Sequence, residues 1–227
     1  ATEKTRQKIV DALLALAAEK PFEEIGLPEI AARAGVTLAA LRGAFASKLD
    51  ILAAFAARID EAVLSDIDAD MAEESPRERL FDMVMSRIEA LTPHKAALKS
   101  IHRGIARDPL LALAWGRVAM NSQTWMLAGA GIRTAGLRGD LRVKGLMLAW
   151  ARIFRVWIDD DDPAISRTMA ALDETLTDGE RWLKRADRAL CRARPLLKLC
   201  ERLEPYMRLN HTEVLSADDE TEAAPAA

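Results

Sequence analysis

The stretch AGVTLAALRGAFASKLDIL, from Ala34 to Leu52, decides the fold of this chain. Gly35 follows a short run with helical spacing, and a Gly just past a helix end tolerates the left-handed backbone of a tight turn. Thr37 is placed to cap the helix that follows, and Ser47 to cap the next one, which starts at Lys48. The stretch therefore predicts two short helices joined by a tight turn, with a longer helix behind them.

The upstream sequence adds a third helix to this pair. Residues 3–19 carry apolar side chains at helical spacing, and Lys20-Pro21 ends that helix. Pro28 suits the first turn of a short helix that runs through Arg33. Short helices joined by a tight turn and braced by a preceding helix make a helix-turn-helix unit, which presents its last helix to a major groove. Its predicted inner set is Ile30, Ala31, Ala34, Val36, Leu41 and Phe45.

The rest of the chain is predicted to be helical too. Ala and Leu dominate the 227 residues, β-branched runs are scarce, and no strand or hairpin signal occurs. Four N-cap residues each precede a Pro suited to the first helical position. These pairs are Ser75-Pro76, Thr92-Pro93, Asp108-Pro109 and Asp162-Pro163, and they predict helices over about 75–91, 92–106, 108–128 and 162–177. Further predictions are an Asp140-capped helix to Ile158, a break at Thr177-Asp178-Gly179 and another at Pro195.

Residues 5–55 resemble the DNA-binding domain of the TetR family of transcriptional regulators. The resemblance rests on the order and spacing of Ile9 to Ala17, Ile30-Ala31, Ala34-Gly35-Val36, Leu41, Phe45, Ser47-Lys48 and Leu52. It implies an all-α, TetR-like fold with a helix-turn-helix domain over residues 1–55. A larger helical domain for ligand binding and dimerisation is then expected over residues 56–209. The acidic residues 210–227 are predicted to be a disordered tail.

The same resemblance implies which residues lie at operator DNA. Lys48 matches a phosphate-contacting position, where its charge and the nearby helix N–H groups suit an anion. Arg42 stands where the family usually has Tyr, and it can make a bidentate contact to guanine. The implied DNA-binding set is Thr37, Leu38, Arg42, Gly43 and Lys48, with Thr5 and Arg6 adding backbone contacts from the first helix.

Two features oppose DNA binding. Leu38, Ala39 and Gly43 offer no hydrogen bonds to base edges. The residues up to Arg58 carry eight Lys and Arg against seven Asp and Glu, so the segment is close to neutral. A helix-turn-helix kept only for its packing therefore stays open as an alternative.

Aromatic and Met side chains mark a second candidate site. All five Trp follow residue 110, and Trp150, Phe154 and Trp157 stand at i, i+4 and i+7. A core or dimer stripe explains this spacing, and a pocket for a small apolar ligand explains it too. The predicted pocket residues are Trp115, Met120, Trp125, Met126, Met147, Trp150 and Phe154.

A weaker resemblance points to another class of protein. The segment from Val156 to Leu176 is similar to the end of the lipid-binding accessory proteins of ubiquinone biosynthesis, which have a TetR-like fold. It implies a protein that binds lipid or isoprenoid and keeps the fold without binding DNA. Residues 181–208 interleave Arg and Lys with Leu, which suits either an anionic lipid surface or a solvated helix, and the solvated helix is favoured.

No pattern in the sequence indicates catalysis or a bound cofactor. The three His have no partner motif, and neither a nucleophile elbow, a P-loop nor a dinucleotide fingerprint occurs. The acidic run 159–162 suits a helix cap better than a metal, and Cys191 and Cys200 are expected to be reduced thiols. The charged N-terminus has no apolar signal core, so we expect a cytoplasmic protein. The leading hypothesis is a homodimeric, ligand-responsive regulator that represses transcription.

Overall fold

A computed structural model of the chain describes residues 2–67, 74–179, 181, 182, 185 and 188. Residues 1–179 form one compact unit, and residues 180–227 form a second. Three predictions lie outside the described residues: the disordered acidic tail, the two reduced cysteines and the break at Pro195. Most of the basic segment 181–208 lies outside them as well.

The first unit consists of α-helices. Their bounds are α1 Glu3–Glu19, α2 Leu27–Ala34, α3 Leu38–Ala44, α4 Lys48–Ser65, α5 Pro76–Leu91, α6 Lys95–Arg107, α7 Pro109–Gly129 and α8 Gly136–Ile158, with α9 over residues 166–179. Short 3-10 turns occupy Phe22–Glu24 and Thr92–His94. The described residues contain no β-strand, so the all-α prediction is confirmed. None of the described helices is both long and apolar enough to cross a bilayer.

Side-chain caps start several of these helices where the sequence predicts. The Oγ1 of Thr37 accepts a hydrogen bond from the Ala40 N–H at 3.1 Å, and Ser47 caps α4 in the same way. Ser75 and Glu78 form a reciprocal capping box at the start of α5. Asp108 accepts from two backbone N–H groups in the first turn of α7. These helices begin where a short polar side chain satisfies N–H groups that the helix itself leaves unpaired.

Two predicted helix starts are wrong. Thr92 does not cap the start of a helix: it is the C-cap of α5, and its hydroxyl donates to the Ile88 carbonyl at 2.7 Å. Asp140 lies inside α8, which begins one turn earlier, at Gly136. The first turn of α8 contains a close approach at Gly139, where an added Cβ would lie 1.9 Å from the Thr134 carbonyl oxygen. Only Gly lets the preceding loop fold against this turn.

The region around α9 also departs from prediction. Pro163 lies in a turn, and α9 starts at residue 166 rather than 162. Asp162 still accepts a hydrogen bond from the Ala164 N–H, at 3.0 Å, while Asp160 is buried and accepts from both the N–H and the hydroxyl of Thr168. α9 includes residues 177–179, so the predicted break there is wrong. Asp160 and Asp162, one on each side of Asp161, thus satisfy N–H groups of the turn and of the first turn of α9.

The packing places the first three helices against the rest of the unit. α1 packs against α2, α4 and α6, while α4 also packs against α5 and α7, and α7 against α8. α4 runs without a break through residue 55, where the sequence places a domain boundary, so the two predicted domains share one helix. α4 and α6 therefore both pack directly on α1.

Candidate DNA-binding face and internal cavity

The turn between α2 and α3 has the geometry that the sequence predicts. Gly35 adopts φ 65° and ψ 35°, the left-handed conformation, and its N–H donates to the Ala32 carbonyl at 3.1 Å. The Val36 N–H then donates to the Ala31 carbonyl at 3.0 Å, which closes the turn. An added Cβ at Gly35 would meet no atom within 4 Å, so the backbone conformation, not space, calls for Gly.

α3 has one buried side and one open side. Leu41 is its buried residue, and Phe45, just past its end, is buried as well. On the open side, 51% of Leu38 is exposed, and Thr37, Arg42 and Gly43 are exposed too. Arg42 has no hydrogen-bond or ion-pair partner among the residues that the structure describes. The helix is thus anchored from within and presents one uncommitted cation outward.

Arg6, predicted to contact DNA, is held within the protein. Its Nη1 donates to the Ala44 carbonyl at 2.5 Å, and its guanidinium lies 4.2 Å from the centre of the Phe45 ring. A cation at a helix C-terminus stabilises the partial negative charge of the last carbonyls. Arg6 therefore fastens α1 to the end of α3. Thr5 is half-buried and shares a 2.8 Å hydrogen bond with the Thr2 hydroxyl.

Lys48 is also drawn inward. Its Nζ donates to the Phe22 carbonyl at 2.8 Å and to the Ile25 carbonyl at 3.0 Å, and it lies 4.1 Å from the centre of the Phe22 ring. Partial burial lowers the pKa of the ammonium below its ordinary value. Since Lys has three N–H donors, these two bonds leave one for a phosphate. The phosphate contact stays a prediction, and the structural role is the one that the geometry displays.

A cavity of about 310 Å³ lies among five helices of the same unit. Ligand pockets commonly have volumes of roughly 300–1,000 Å³ and mostly apolar walls. The lining residues are Leu52, Phe55, Ala56 and Ile59 from α4, Arg87 and Leu91 from α5, Leu98, Ile101, His102 and Ile105 from α6, Ala112, Trp115, Gly116, Ala119, Ser122 and Gln123 from α7, and Met147, Trp150, Ala151, Phe154 and Arg155 from α8.

The structure brings together part of the predicted pocket. The predicted residues that line the cavity are Trp115, Met147, Trp150 and Phe154. The other three lie elsewhere on α7: Met126 is buried in the core, 54% of Trp125 is exposed, and Met120 is half-buried away from the cavity wall. The sequence interpretation missed the contributions of α4, α5 and α6. Helical spacing assigns faces within one helix, whereas a cavity wall depends on which helices meet.

One buried ionic cluster interrupts the apolar wall. Arg87 is 5% exposed, and its Nη2 donates to Asp60 and to the Ser122 hydroxyl. Its guanidinium lies 4.7 Å from the centre of the Trp150 ring. Burial is the largest influence on the pKa of Arg87 and lowers it. The charge of the neighbouring Asp60 and its hydrogen bond oppose that shift. No spacing signal connects these residues, since 27 positions separate Asp60 from Arg87 and 35 separate Arg87 from Ser122.

His102 lies on the α6 side of the cavity. Its ring makes an edge contact with Phe154, with 5.6 Å between the ring centres. Burial lowers the pKa of His102, and the charge of Arg155 lowers it further. The imidazole is therefore mostly neutral at physiological pH.

α6 joins the cavity wall to the helix-turn-helix. Its residues Ile101, His102 and Ile105 line the cavity, and Gly104 between them faces the other way. A Cβ at Gly104 would lie 3.0 Å from Cδ1 of Phe22, so the ring packs directly on this helix. Phe22 is also the residue whose carbonyl accepts from Lys48. One aromatic side chain thus connects α6 with the start of α4.

Comparisons with known proteins agree with this architecture. The model of the family of bacterial regulatory proteins named tetR matches residues 9–55. The structure is similar to that of a TetR transcriptional regulator from Nitrosomonas europaea, with a TM-score of 0.62 and 22% identity over 77% of this chain and 97% of that one. It is also similar to a TetR regulator from Rhodococcus sp. RHA1, with a TM-score of 0.56 and 20% identity over 76% of this chain and 96% of that one.

A tetR-family regulator from Streptomyces coelicolor has a TM-score of 0.52 and 15% identity, over 85% of this chain and 99% of that one. None of the curated proteins matches the chain by sequence. At these identities the likeness to the solved structures concerns the fold, which is TetR-like along most of the chain. The findings do not favour the lipid-binding accessory protein that the segment from Val156 to Leu176 suggested.

Proposed function

Because residues 9–55 match the model of the tetR family of bacterial regulatory proteins, we propose that the protein is a transcriptional repressor that binds operator DNA as a homodimer and leaves it when a ligand fills the cavity. The proposal rests on one observation: α3 is fixed on its inner side and exposed on its outer side. Its inner side is fixed by Leu41, its first turn is capped by Thr37, and its last carbonyl is held by Arg6. Its outer side is open.

The exposed side of α3 supports a specific mode of recognition. Arg42 is free to donate two hydrogen bonds to guanine in the major groove, a contact worth about 1–3 kcal/mol of discrimination. Leu38 is placed for the methyl group of thymine, and Gly43 allows the backbone to approach DNA closely. Thr37 is both a cap and a phosphate ligand. Arg6 and Lys48 act as framework, keeping α3 and the start of α4 in place.

Exposed apolar residues support the homodimer. On α7 and α8 the exposed fraction reaches 80% for Leu110 and 74% for Leu148, and Leu113 and Leu137 are exposed too. A large exposed apolar patch marks an interaction surface on a soluble protein. A twofold dimer places two copies of α3 in successive major grooves, about 34–36 Å apart.

The helix arrangement supports ligand control. α4 and α6 both line the cavity and both contact the helix-turn-helix, through Lys48 and Gly104 respectively. A ligand that pushes these helices apart changes the separation of the two copies of α3. Such a ligand binds the DNA-free arrangement better and therefore shifts the population toward it.

Selection of bound genomic fragments at moderate salt tests DNA binding. We expect one palindromic site to be enriched, with an affinity that falls steeply as salt rises. Arg42→Ala should weaken that binding by roughly 10- to 100-fold. Arg103→Ala, an exposed Arg on α6, is the matched control and should leave the affinity unchanged. Enrichment of no site, or equal binding by the Arg42→Ala variant, contradicts the proposal.

Lys48→Ala is a poor test of DNA contact, because it also leaves the Phe22 and Ile25 carbonyls without their donor. The dimer is tested separately by sedimentation. The full chain should sediment as a dimer at micromolar concentration, and Leu148→Arg should shift it toward monomer. A wild-type monomer under these conditions excludes the homodimer.

A further inference from the structure

We propose that the cavity binds a carboxylic acid with an apolar body, whose carboxylate accepts hydrogen bonds from Arg87 and Gln123. The proposal rests on the function proposed above in one respect only: it names the class of ligand for the same cavity. Two buried polar side chains on the cavity wall, Gln123 and Arg87, keep hydrogen-bonding groups that the described residues do not use.

Gln123 is the first of them. It is 2% exposed, it lines the cavity, and its amide has no hydrogen-bond partner among the residues that the structure describes. A buried amide without a partner costs about 1–3 kcal/mol, so native proteins rarely retain one without a reason. Since Gln123 lines the cavity, a ligand there is the partner that the amide lacks within the protein.

Arg87 is the second. Within the described part of the chain, only its Nη2 is used, toward Asp60 and Ser122. A guanidinium has five N–H donors, so the Nε and Nη1 groups keep three for another acceptor. The Asp60 contact and the Trp150 ring hold the guanidinium in one orientation. Arg87 is therefore a fixed, buried donor group with unused capacity, next to the cavity.

The charges around the cavity favour one type of ligand head group over others. Its charged lining residues are Arg87 and Arg155, and no Asp or Glu lines it. Asp60 lies behind Arg87 and compensates that one charge, whereas Arg155 is exposed and has no partner among the described residues. A carboxylate thus meets the N–H donors of Arg87 and Gln123, whereas an ammonium group finds no carboxylate on the wall and is repelled by the two arginines. Charge-assisted hydrogen bonds are about twice as strong as neutral ones, which favours a carboxylate over an alcohol.

The other side chains of the cavity wall favour a ligand with an apolar body. Phe55, Ile59, Trp115, Met147 and Phe154 present aromatic and aliphatic surface. Burying apolar ligand surface against them contributes about 25 cal/mol for each Å² removed from water. With a volume of about 310 Å³, the cavity suits a molecule with one polar end rather than several polar groups.

Binding of three twelve-carbon probes to the full-length protein tests the proposal. Dodecanoate, dodecanol and dodecyltrimethylammonium share one apolar body and differ in the head group. Titrated below micelle formation at pH 8, dodecanoate should bind at least about tenfold more tightly than dodecanol, and dodecyltrimethylammonium should bind weakest. Trp115 and Trp150 line the cavity, so quenching of Trp fluorescence reports occupancy. Equal affinities for dodecanoate and dodecanol overturn the proposal.

Variants locate the head group. Gln123→Leu should weaken dodecanoate about tenfold and change dodecanol less than threefold. Gln123→Glu should abolish dodecanoate binding by placing a like charge beside the head group. Asn121→Ala, an exposed amide on the same helix, is the matched control and should leave both affinities unchanged. Unchanged dodecanoate affinity in both Gln123 variants, each shown to be helical by circular dichroism, overturns the proposal.

These measurements use no DNA, so they separate the two proposals. Gln123-dependent dodecanoate binding by a protein that selects no operator supports the carboxylate site and contradicts the repressor. Operator selection by a protein that does not distinguish the three probes supports the repressor and contradicts the carboxylate site.

Discussion

In the helix-turn-helix, Arg6 and Lys48 donate to backbone carbonyls, and Arg42 of α3 is left facing outward. At the cavity the arrangement is reversed: Arg87 is almost fully buried, pairs with Asp60, and keeps unused donors beside an apolar space. The position of a cationic residue in the sequence therefore does not reveal its role. The carbonyls and carboxylates that neighbouring helices bring near it decide whether it braces the fold or binds a partner.

The largest expected effect comes from breaking the buried pair. Arg87→Met leaves Asp60 buried without its partner and should lower the free energy of unfolding by about 3–5 kcal/mol. Replacing both residues, as in Arg87→Met/Asp60→Leu, removes the uncompensated charge and should recover most of that loss. Urea denaturation followed by circular dichroism measures both. A single variant as stable as wild type means that Arg87 is not held by Asp60.

Lys48 tests the other side of the comparison. Lys48→Met leaves two backbone carbonyls without a donor and should cost about 1–3 kcal/mol of stability in the same assay. Lys8→Met replaces an exposed Lys of α1 and should change stability by less than about 0.5 kcal/mol. If the two variants are equally stable, Lys48 is a surface cation available for phosphate, and the contrast with Arg42 disappears.

The cap of α3 should have a smaller effect. Thr37→Ala removes the acceptor of the Ala40 N–H and should lower stability by about 1 kcal/mol. Thr37→Ser keeps the oxygen and should behave nearly as wild type. Thermal unfolding of the three proteins side by side measures the difference. Equal melting temperatures for the Ala and Ser variants mean that Leu41 and Arg6 alone hold α3.

The smallest effect is expected from acid at Asp160, far from the helix-turn-helix. Hydrogen bonds from Thr168, first from its hydroxyl and then from its N–H, lower the pKa of this carboxyl below its ordinary value of 3.8. Because the folded-state pKa is the lower one, Asp160 stabilises the fold above pH 3.8, and this contribution is lost as the pH falls toward the folded-state value. Asp160→Asn should therefore flatten the fall in stability between about pH 5 and pH 2.

Asp161→Asn, at the exposed neighbouring position, serves as the control and should keep the wild-type slope. Denaturant midpoints across the pH series measure all three proteins. A wild-type slope in Asp160→Asn shows that the Thr168 contacts do not favour the ionised carboxylate.

The backbone of this protein follows from its sequence better than its sites do. α1 has the predicted bounds, and the turn at Gly35 has the predicted conformation, because caps and helical spacing are local properties. The start of α8 differs from the prediction because Asp140, a residue of the capping type, lies inside the helix, and nothing in the sequence signals the close approach of Gly139 to Thr134. Trp150 and Phe154 were found through their spacing on one helix. Arg87 and Gln123 were not, since their burial results from five helices meeting around one space.

The contact between Gly104 and Phe22 sets a rule for redesigning ligand specificity. The cavity face of α6 shares its helix with a position where even a methyl group would press on Phe22 at 3.0 Å. Under the proposed function, repacking the wall from α6 therefore risks altering DNA affinity together with ligand binding. α7 and α8 supply eleven lining residues, and the contact with Phe22 at Gly104 belongs to α6 instead. Trp115, Met147 and Ala151 are therefore the positions to randomise first. Under the proposed function, variants at these positions should change the ligand and leave the operator unchanged.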